Sequence, residues 1–267
     1  MTEEEFAHHV TCMQRDGYAV LPDVLTVAEC DEAQGELDRL MPERERGGME
    51  CLFNKAQVFE RIYQVPTLLR FIRHFLGPDA LLSAMHGSIL QPGEGGRALH
   101  ADGSQTGHNR KASLAPADAN TRIISHVVGL NNIICISEFT GDNGATELVP
   151  GSHLHPTLDR PPDSEVRAMT AAAPRGSAIV FNVNTWHGAT ENCSDTPRYA
   201  VLNPWRRRWT RCEYEVARVV DPEVLVRAMD EGPTIFGLEA QPAYLELWQW
   251  DRSRGEPNDE WEHLRRH

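Results

Sequence analysis

The spacing of apolar and polar positions changes near residue 80. Before it the pattern is helical, with one extended interruption. Thr2-x-x-Glu5 and Thr26-x-x-Glu29 each set a hydroxyl three positions ahead of an acid, the reciprocal arrangement that satisfies free N–H groups at a helix start. Between those two starts, the run from Gly17 to Leu25 alternates and carries β-formers, which predicts a strand. Residues 55–63 and 66–76 predict two more helices. The second opens on Pro66, lays Leu68, Leu69, Ile72, Phe75 and Leu76 on one broad face, and stops at Gly77-Pro78.

From about 80 to 205 the runs shorten and become β-rich: 81–90, 122–139, 145–149, 178–183 and 198–203. Turn clusters at 92–96 and 141–144 separate some of them. Many short strands punctuated by Gly, Pro and Asn predict a sandwich or barrel. Asp221 and Pro222 open a further helix over 221–230, and the polar residues 251–267 are expected to fray. Neither a linker nor an internal repeat divides the sequence. The expectation is one domain over 1–267, with a helical part to about 80, a β core over about 81–205 and a C-terminal extension over 206–267.

Composition narrows the class of function. The chain has 267 residues, 40% hydrophobic and 24% charged, so it can bury a sizeable core. Lys+Arg is 26 against Asp+Glu 39, a net charge of -13, which argues against a nucleic-acid partner and against an anionic membrane surface. The first six residues are acidic where a signal peptide would be basic, and no apolar run reaches the ~18 residues a membrane span needs. Six cysteines without a CxxC pair read as reduced structural thiols, and the expected location is the cytoplasm.

Candidate chemistry begins at His100-Ala-Asp102. On an extended backbone residues i and i+2 share a face, so imidazole and carboxylate converge. Taken alone the tripeptide recurs by chance, and a loop histidine hydrogen-bonded to Asp102 explains it. Trp186-His187-Gly188, after the β-run 178–183, offers a third ligand. Two histidines and one carboxylate on one face of an octahedron leave three positions open, the arrangement of non-haem Fe(II) oxygenases. Arg198, eleven residues after His187, would sit on the adjacent antiparallel strand and face inward, where a buried guanidinium needs an anion and a carboxylate is its best match.

With these residues in place the sequence resembles the phytanoyl-CoA dioxygenase-like family of Fe(II)/2-oxoglutarate-dependent oxygenases. The likeness runs from Asp16–Leu25 through His100-x-Asp102 and Phe139-Thr-Gly-Asp-Asn-Gly-Ala-Thr-Glu-Leu-Val-Pro-Gly-Ser-His153 to His187 and Arg198. It implies a mainly β fold with flanking helices around a double-stranded β-helix (jelly-roll) core. His100, Asp102 and His187 would bind Fe(II), and Arg198 would pair with the distal carboxylate of 2-oxoglutarate. Ser137 stands where relatives often have a threonine that bonds the cosubstrate. Arg97 replaces a glutamine used by some relatives for that purpose, and Ala189 replaces a serine. The implied reaction consumes O2, converts 2-oxoglutarate to succinate and CO2, and oxidises a small molecule, by hydroxylation or a related outcome. Asp102 argues against halogenation, for which relatives have a small residue there.

Other features have plainer readings. His153 is expected to cap a loop, Asn192 to hold the loop after His187, and His108, His126 and His155 to be ordinary polar residues. Trp186, Trp205 and Trp209 fit a pocket or plain packing, and Arg206–Arg208 a solvated face paired with carboxylates. The polar segment 103–121 is a candidate lid. The expected substrate is a natural-product or amino-acid-like metabolite, and the N-terminal helices and Trp248-Gln-Trp250 leave a homodimer open. Two rival functions use the same residues: a zinc-dependent hydrolase, which gives Arg198 no role, and a non-catalytic metabolite-binding jelly roll.

Overall fold

The computed structural model describes residues 1–42, 49–102, 124–156, 165–228 and 231–238, with a short strand pair at 250–251 and 256–257. The candidate lid 103–121, His108, Trp248 and most of the expected frayed tail lie outside the described residues. Both N-terminal hydroxyl–acid pairs do what their spacing predicts. Thr2 caps α1 (Glu3–Asp16) and Thr26 caps α2 (Val27–Leu40), each with reciprocal bonds to the glutamate three residues on. Between the two helices lies β1 (Tyr18–Leu21). Helices α3 (Gln57–Gln64) and α4 (Pro66–Leu76) follow the short strand β2 (Met49–Glu50).

The chain then enters the β core. Strands β3 (Leu81–Leu82), β4 (His86–Leu90), β5 (Gly95–His100), β6 (Gly129–Cys135), β7 (Thr146–Leu148), β8 (Met169–Thr170), β9 (Ala178–Asn182), β10 (His187–Glu191) and β11 (Arg198–Arg206) form two antiparallel sheets. The larger runs β1-β9-β6-β11-β4-β2, with β3 also paired to β11, and the smaller runs β5-β10-β7-β8. From β4 to β11 the chain changes sheets at almost every step, which is the jelly-roll path. Past β11, Pro222 starts a short helix, α6 (Pro222–Arg227), after the one-turn α5 (Val216–Val219).

Alternation along the strands divides the interior in two. On one face of the larger sheet, Leu130, Ile134, Val201 and Trp205 join Leu37, Phe59, Ile62 and Ile72 from the helices in one core. On the other face, Ile133, Cys135, Ile179, Phe181 and Ala200 meet Leu148 of the smaller sheet. The helices therefore back the larger sheet, and the space between the sheets is left for a site. No helix among the described residues is long and apolar enough to cross a membrane. The six cysteines are free thiols.

Among the strands hidden in the pattern are the two that carry the site histidines. The glycine-rich stretch that reads as a turn at 92–96 becomes the start of β5, where Gly95 takes φ +115° and pairs with Glu191. A Cβ on Gly95 would fall 2.4 Å from the Thr190 carbonyl oxygen, so strand pairing here needs the residue that local propensity counts against. Its partner β10 starts at His187 itself, in a run without β-branched residues before Thr190.

Gly17 ties the helical part to the site. It ends α1 at φ +83°, its carbonyl accepts a bond from Thr185 Oγ1 at 2.9 Å, and a Cβ there would lie 2.5 Å from His153 Nδ1. Left-handed strain and overpacking act together, so Gly17→Ala is expected to cost roughly 2–4 kcal/mol of stability. Urea unfolding of the two proteins measures this, and a loss below about 0.5 kcal/mol would refute the account.

Candidate active site

His100 closes β5 and His187 opens β10, and the two stand directly opposite in register. One step away Arg97 faces Ala189, so three residues on β5 span two on β10. This bulge turns both Arg97 and His100 toward the space between the sheets. Asp102 follows two residues beyond His100. One potential ligand atom from each of His100, Asp102 and His187 lies within 4.8 Å of the others. Asp102 Oδ1 is 3.5 Å from His100 Nε2, and its Oδ2 is 3.3 Å from His187 Nε2. The imidazole rings are 4.2 Å apart, and Phe181 packs against His187 at 4.6 Å.

The imidazoles are oriented alike. His100 Nδ1 lies 3.0 Å from the Ala98 carbonyl oxygen, and His187 Nδ1 lies 3.0 Å from that of Thr185. A carbonyl only accepts, so each Nδ1 carries a proton and each Nε2 is the atom turned toward Asp102. His100 Nε2 is buried and has no hydrogen-bond partner among the described residues. Burial, with His187 and Arg97 nearby, lowers the His100 pKa and favours the neutral ring a metal requires. Burial works to raise the Asp102 carboxyl, but the hydrogen bond and charge of His187, then the charges of His100 and Arg97, outweigh it and hold the group well below the usual carboxylate range. Two imidazole nitrogens and an ionised carboxylate suit a divalent first-row metal.

Arg198 opens β11 and faces the same space, but the expected strand neighbour is corrected. β10 pairs with β5 and β7, whereas β11 pairs with β4, β6 and β3, so Arg198 looks at the histidines from the opposite sheet. The cause is the intervening loop. Asn192 donates to the carbonyls of Leu90 (3.0 Å) and Thr196 (2.9 Å), fastening the turn to the end of β4 beside Arg198. Arg198 is 7% exposed; its guanidinium lies 4.5 Å over the Phe139 ring and donates through Nη1 to the Gly144 carbonyl. Among the described residues its Nε has no partner and no carboxylate pairs with it. Burial pushes its pKa down to about 10, which still leaves it charged at neutral pH.

The remaining sequence candidates separate. Arg97 lines the cavity from β5. Ser137 does not: its hydroxyl accepts the Tyr199 N–H at 2.9 Å, beyond the end of β6. His153 is buried, with Nε2 3.2 Å from the Gln14 carbonyl oxygen. His155 stacks on buried Trp186, and His126 lies against exposed Trp209. Trp205 belongs to the helical core and donates Nε1 to Asn132. The solvated arginine face is corrected as well. Arg206 is buried against Glu213, and Arg207 donates to the carbonyls of Phe75, Leu76 and Val127. Sequence reasoning missed Asn131, whose Nδ2 donates to Asp102 Oδ2 at 2.7 Å. The available signal was a pair of amides inside an otherwise apolar, wholly buried strand.

A cavity of about 480 Å³ joins the triad to Arg198, a volume suited to a small molecule. Comparisons with known proteins agree with this architecture. Dioxygenase af480 of Aspergillus fumigatus is 27% identical over 210 residues, which span 71% of this chain and 63% of the fungal enzyme. An uncharacterized protein of Mycobacterium bovis is 24% identical over 79% of this chain and 78% of its own length. Among solved structures, the alpha-ketoglutarate-dependent epimerase SnoN superposes with a TM-score of 0.63 at 19% identity, covering 78% of this chain and 85% of SnoN. SnoN has also been solved with Fe3+ and alpha-ketoglutarate. The non-heme monooxygenase ThoJ gives a TM-score of 0.59 at 18% identity over 76% of this chain and 79% of its own. The phytanoyl-CoA dioxygenase (PhyH) family model matches residues 13–200, and the chain belongs to that dioxygenase family.

Proposed function

We propose that this protein is an Fe(II)- and 2-oxoglutarate-dependent oxygenase that hydroxylates a small metabolite of natural-product or amino-acid-like character. The observation that carries the reading is a bis-imidazole–carboxylate cluster sharing one cavity with a buried guanidinium that has no acid beside it among the described residues. His100, Asp102 and His187 would hold the metal, and three ligands of this kind leave room for cosubstrate and O2. When bound, Fe(II) with 2-oxoglutarate and O2 supplies the oxidising chemistry, with succinate and CO2 as products.

The chain's own residues provide binding, orientation and dryness. Arg198 offers its guanidinium to the distal carboxylate of the keto acid, and Phe139 beneath it keeps the plane of that guanidinium fixed. Arg97, on the bulged strand beside Ala189, offers a second cation from the smaller sheet. Ile133, Phe181 and Leu202 wall the same cavity and exclude water from the reacting end. Arg198 also distinguishes this reading from a zinc hydrolase, which would need a water and a general base but no buried anion receptor.

His187→Ala or Asp102→Ala is expected to abolish tight Fe(II) binding together with succinate formation, as measured by metal analysis and product assay. Hydrolysis sustained by zinc without 2-oxoglutarate would contradict the oxygenase reading. A product isomeric with its substrate, in place of one that gains an oxygen atom, would overturn hydroxylation specifically.

Arg198→Met should leave metal binding intact and raise the KM for 2-oxoglutarate roughly a hundredfold, the value of a charge-assisted pair of about 3 kcal/mol. The metal-free variant should be as stable as the parent or more so, because an uncompensated buried charge has been removed. An unaltered KM, or a large loss of stability with normal cosubstrate affinity, would make Arg198 a packing residue.

A further inference from the structure

Asn131 lies in the middle of a chain of polar contacts that runs from the molecule's interior to the metal-binding carboxylate. β6 places it on the cavity face, between Leu130 of the helical core and Asn132, whose Oδ1 accepts the Trp205 indole N–H. Its Nδ2 donates to Asp102 Oδ2 at 2.7 Å, and its Oδ1 accepts from Arg206 Nη1 at 3.2 Å. Arg206 in turn donates to the Trp205 carbonyl at 3.0 Å and to Glu213 Oε1 at 2.8 Å. The Glu213 backbone N–H is fastened to Ser83 Oγ at 2.7 Å. Arg206 pairs in register with Gly129, where a Cβ would come within 3.1 Å of its guanidinium, so the strand leaves space for that group.

The direction of this chain follows from chemistry. A guanidinium has five donors and no acceptor, so only the oxygen of the Asn131 amide can face Arg206. The NH2 end is thereby committed to Asp102. The two carboxylate oxygens then differ: Oδ2 carries the short bond from Asn131, while Oδ1 has no comparable donor among the described residues. An amide that merely filled the core would need no fixed polarity. Here a buried cation sets it.

Building on the oxygenase reading above, we propose that Asn131, aligned by the Arg206–Glu213 pair, is a positioning residue for the metal site. It holds Asp102 Oδ2 and reserves Oδ1 as the single oxygen offered to the metal, which keeps the carboxylate from taking a second coordination position. Asn131 acts through Asp102. Partners of this kind set ligand orientation and typically govern 10–100-fold in metal affinity.

Cobalt(II) substitution tests this without turnover, because its visible ligand-field absorption reports coordination number and geometry. Binding to the parent protein, with and without 2-oxoglutarate, comes first. A parent that binds no Co(II) would sink the oxygenase reading and this proposal together. Asn131→Ala is expected to bind Co(II) roughly 10–100-fold more weakly and with an altered spectrum. Arg206→Met, which frees the amide without removing it, should shift affinity in the same direction by less. Asn132→Ala removes the neighbouring amide, which bonds Trp205 and not Asp102, and should leave the spectrum unchanged whatever it does to stability. If Asn131→Ala does not fold, Asn131→Asp carries the same expectation, since it keeps the size and sets an acceptor against Oδ2. A folded Asn131 variant that binds Co(II) within about twofold of the parent, with a superimposable spectrum, would overturn the positioning role while the parent's binding left the oxygenase reading standing.

Discussion

The register between β5 and β10 is the constraint on which the site rests. His100 and His187 are directly opposed across two antiparallel strands, so their side chains leave the sheet on the same side and within reach of one another. A slip of one residue would send one imidazole to the outer face and dissolve the cluster. The register is defended on both flanks. Gly95 permits a close approach to Thr190 that no other residue would allow, and the bulge between Arg97 and His100 adds the residue that turns both inward. Beyond β10, Asn192 secures the turn that carries the chain across to Arg198. Each device serves geometry that local propensity alone would not select.

The cavity's electrostatics are arranged in opposition. Asp102, held ionised by the groups around it, stands at one end and Arg198, a cation without a carboxylate beside it among the described residues, at the other. Burying an unmatched guanidinium is costly, and its lowered pKa expresses that cost. A divalent metal and a dicarboxylate carry two charges of each sign, so together they leave the cavity's net charge unchanged. Either one alone would not. On the proposed function, metal and cosubstrate therefore favour one another through the charges already built in, before any direct bond between them is considered.

What the sequence made legible follows the range of the interactions concerned. Both reciprocal caps, the Pro66 helix start and the helical–β division near residue 80 depend on neighbours a few positions apart, and they appear as expected. His100 and Asp102 converge although β5 ends at His100 and Asp102 lies beyond the strand in a helical turn, whereas the Arg198 inward face was legible because period-two geometry is local. The strand beside Arg198 was not, since a six-residue turn can either fold back within a sheet or cross to another, and Asn192 settles the matter through the distant Leu90 carbonyl. Ser137 had the right residue type in the right region, but its hydroxyl accepts the Tyr199 N–H away from the cavity lining, a contact no spacing reveals. Arg206 read as surface because charge clusters usually are. Its Glu213 partner and the space above Gly129 make its burial tolerable.

Asn131 and Asn132 show how far two identical neighbours can diverge in such a fold. Strand alternation sends the first to the cavity and the second to the helical core, where it accepts the indole N–H of Trp205 at 2.8 Å. An amide suits both places for different reasons. Beside Trp205 it satisfies a buried donor that an apolar side chain would leave stranded. Beside Asp102 it supplies a donor without adding charge, so the carboxylate is oriented yet keeps the full negative charge a metal needs. A lysine at that position would neutralise the carboxylate, and an aspartate would repel it. The helices that back the larger sheet matter to the site for this reason: by fixing the Trp205–Asn132 side of β6 and β11, they fix the backbone from which Asn131 and Arg206 reach the opposite face.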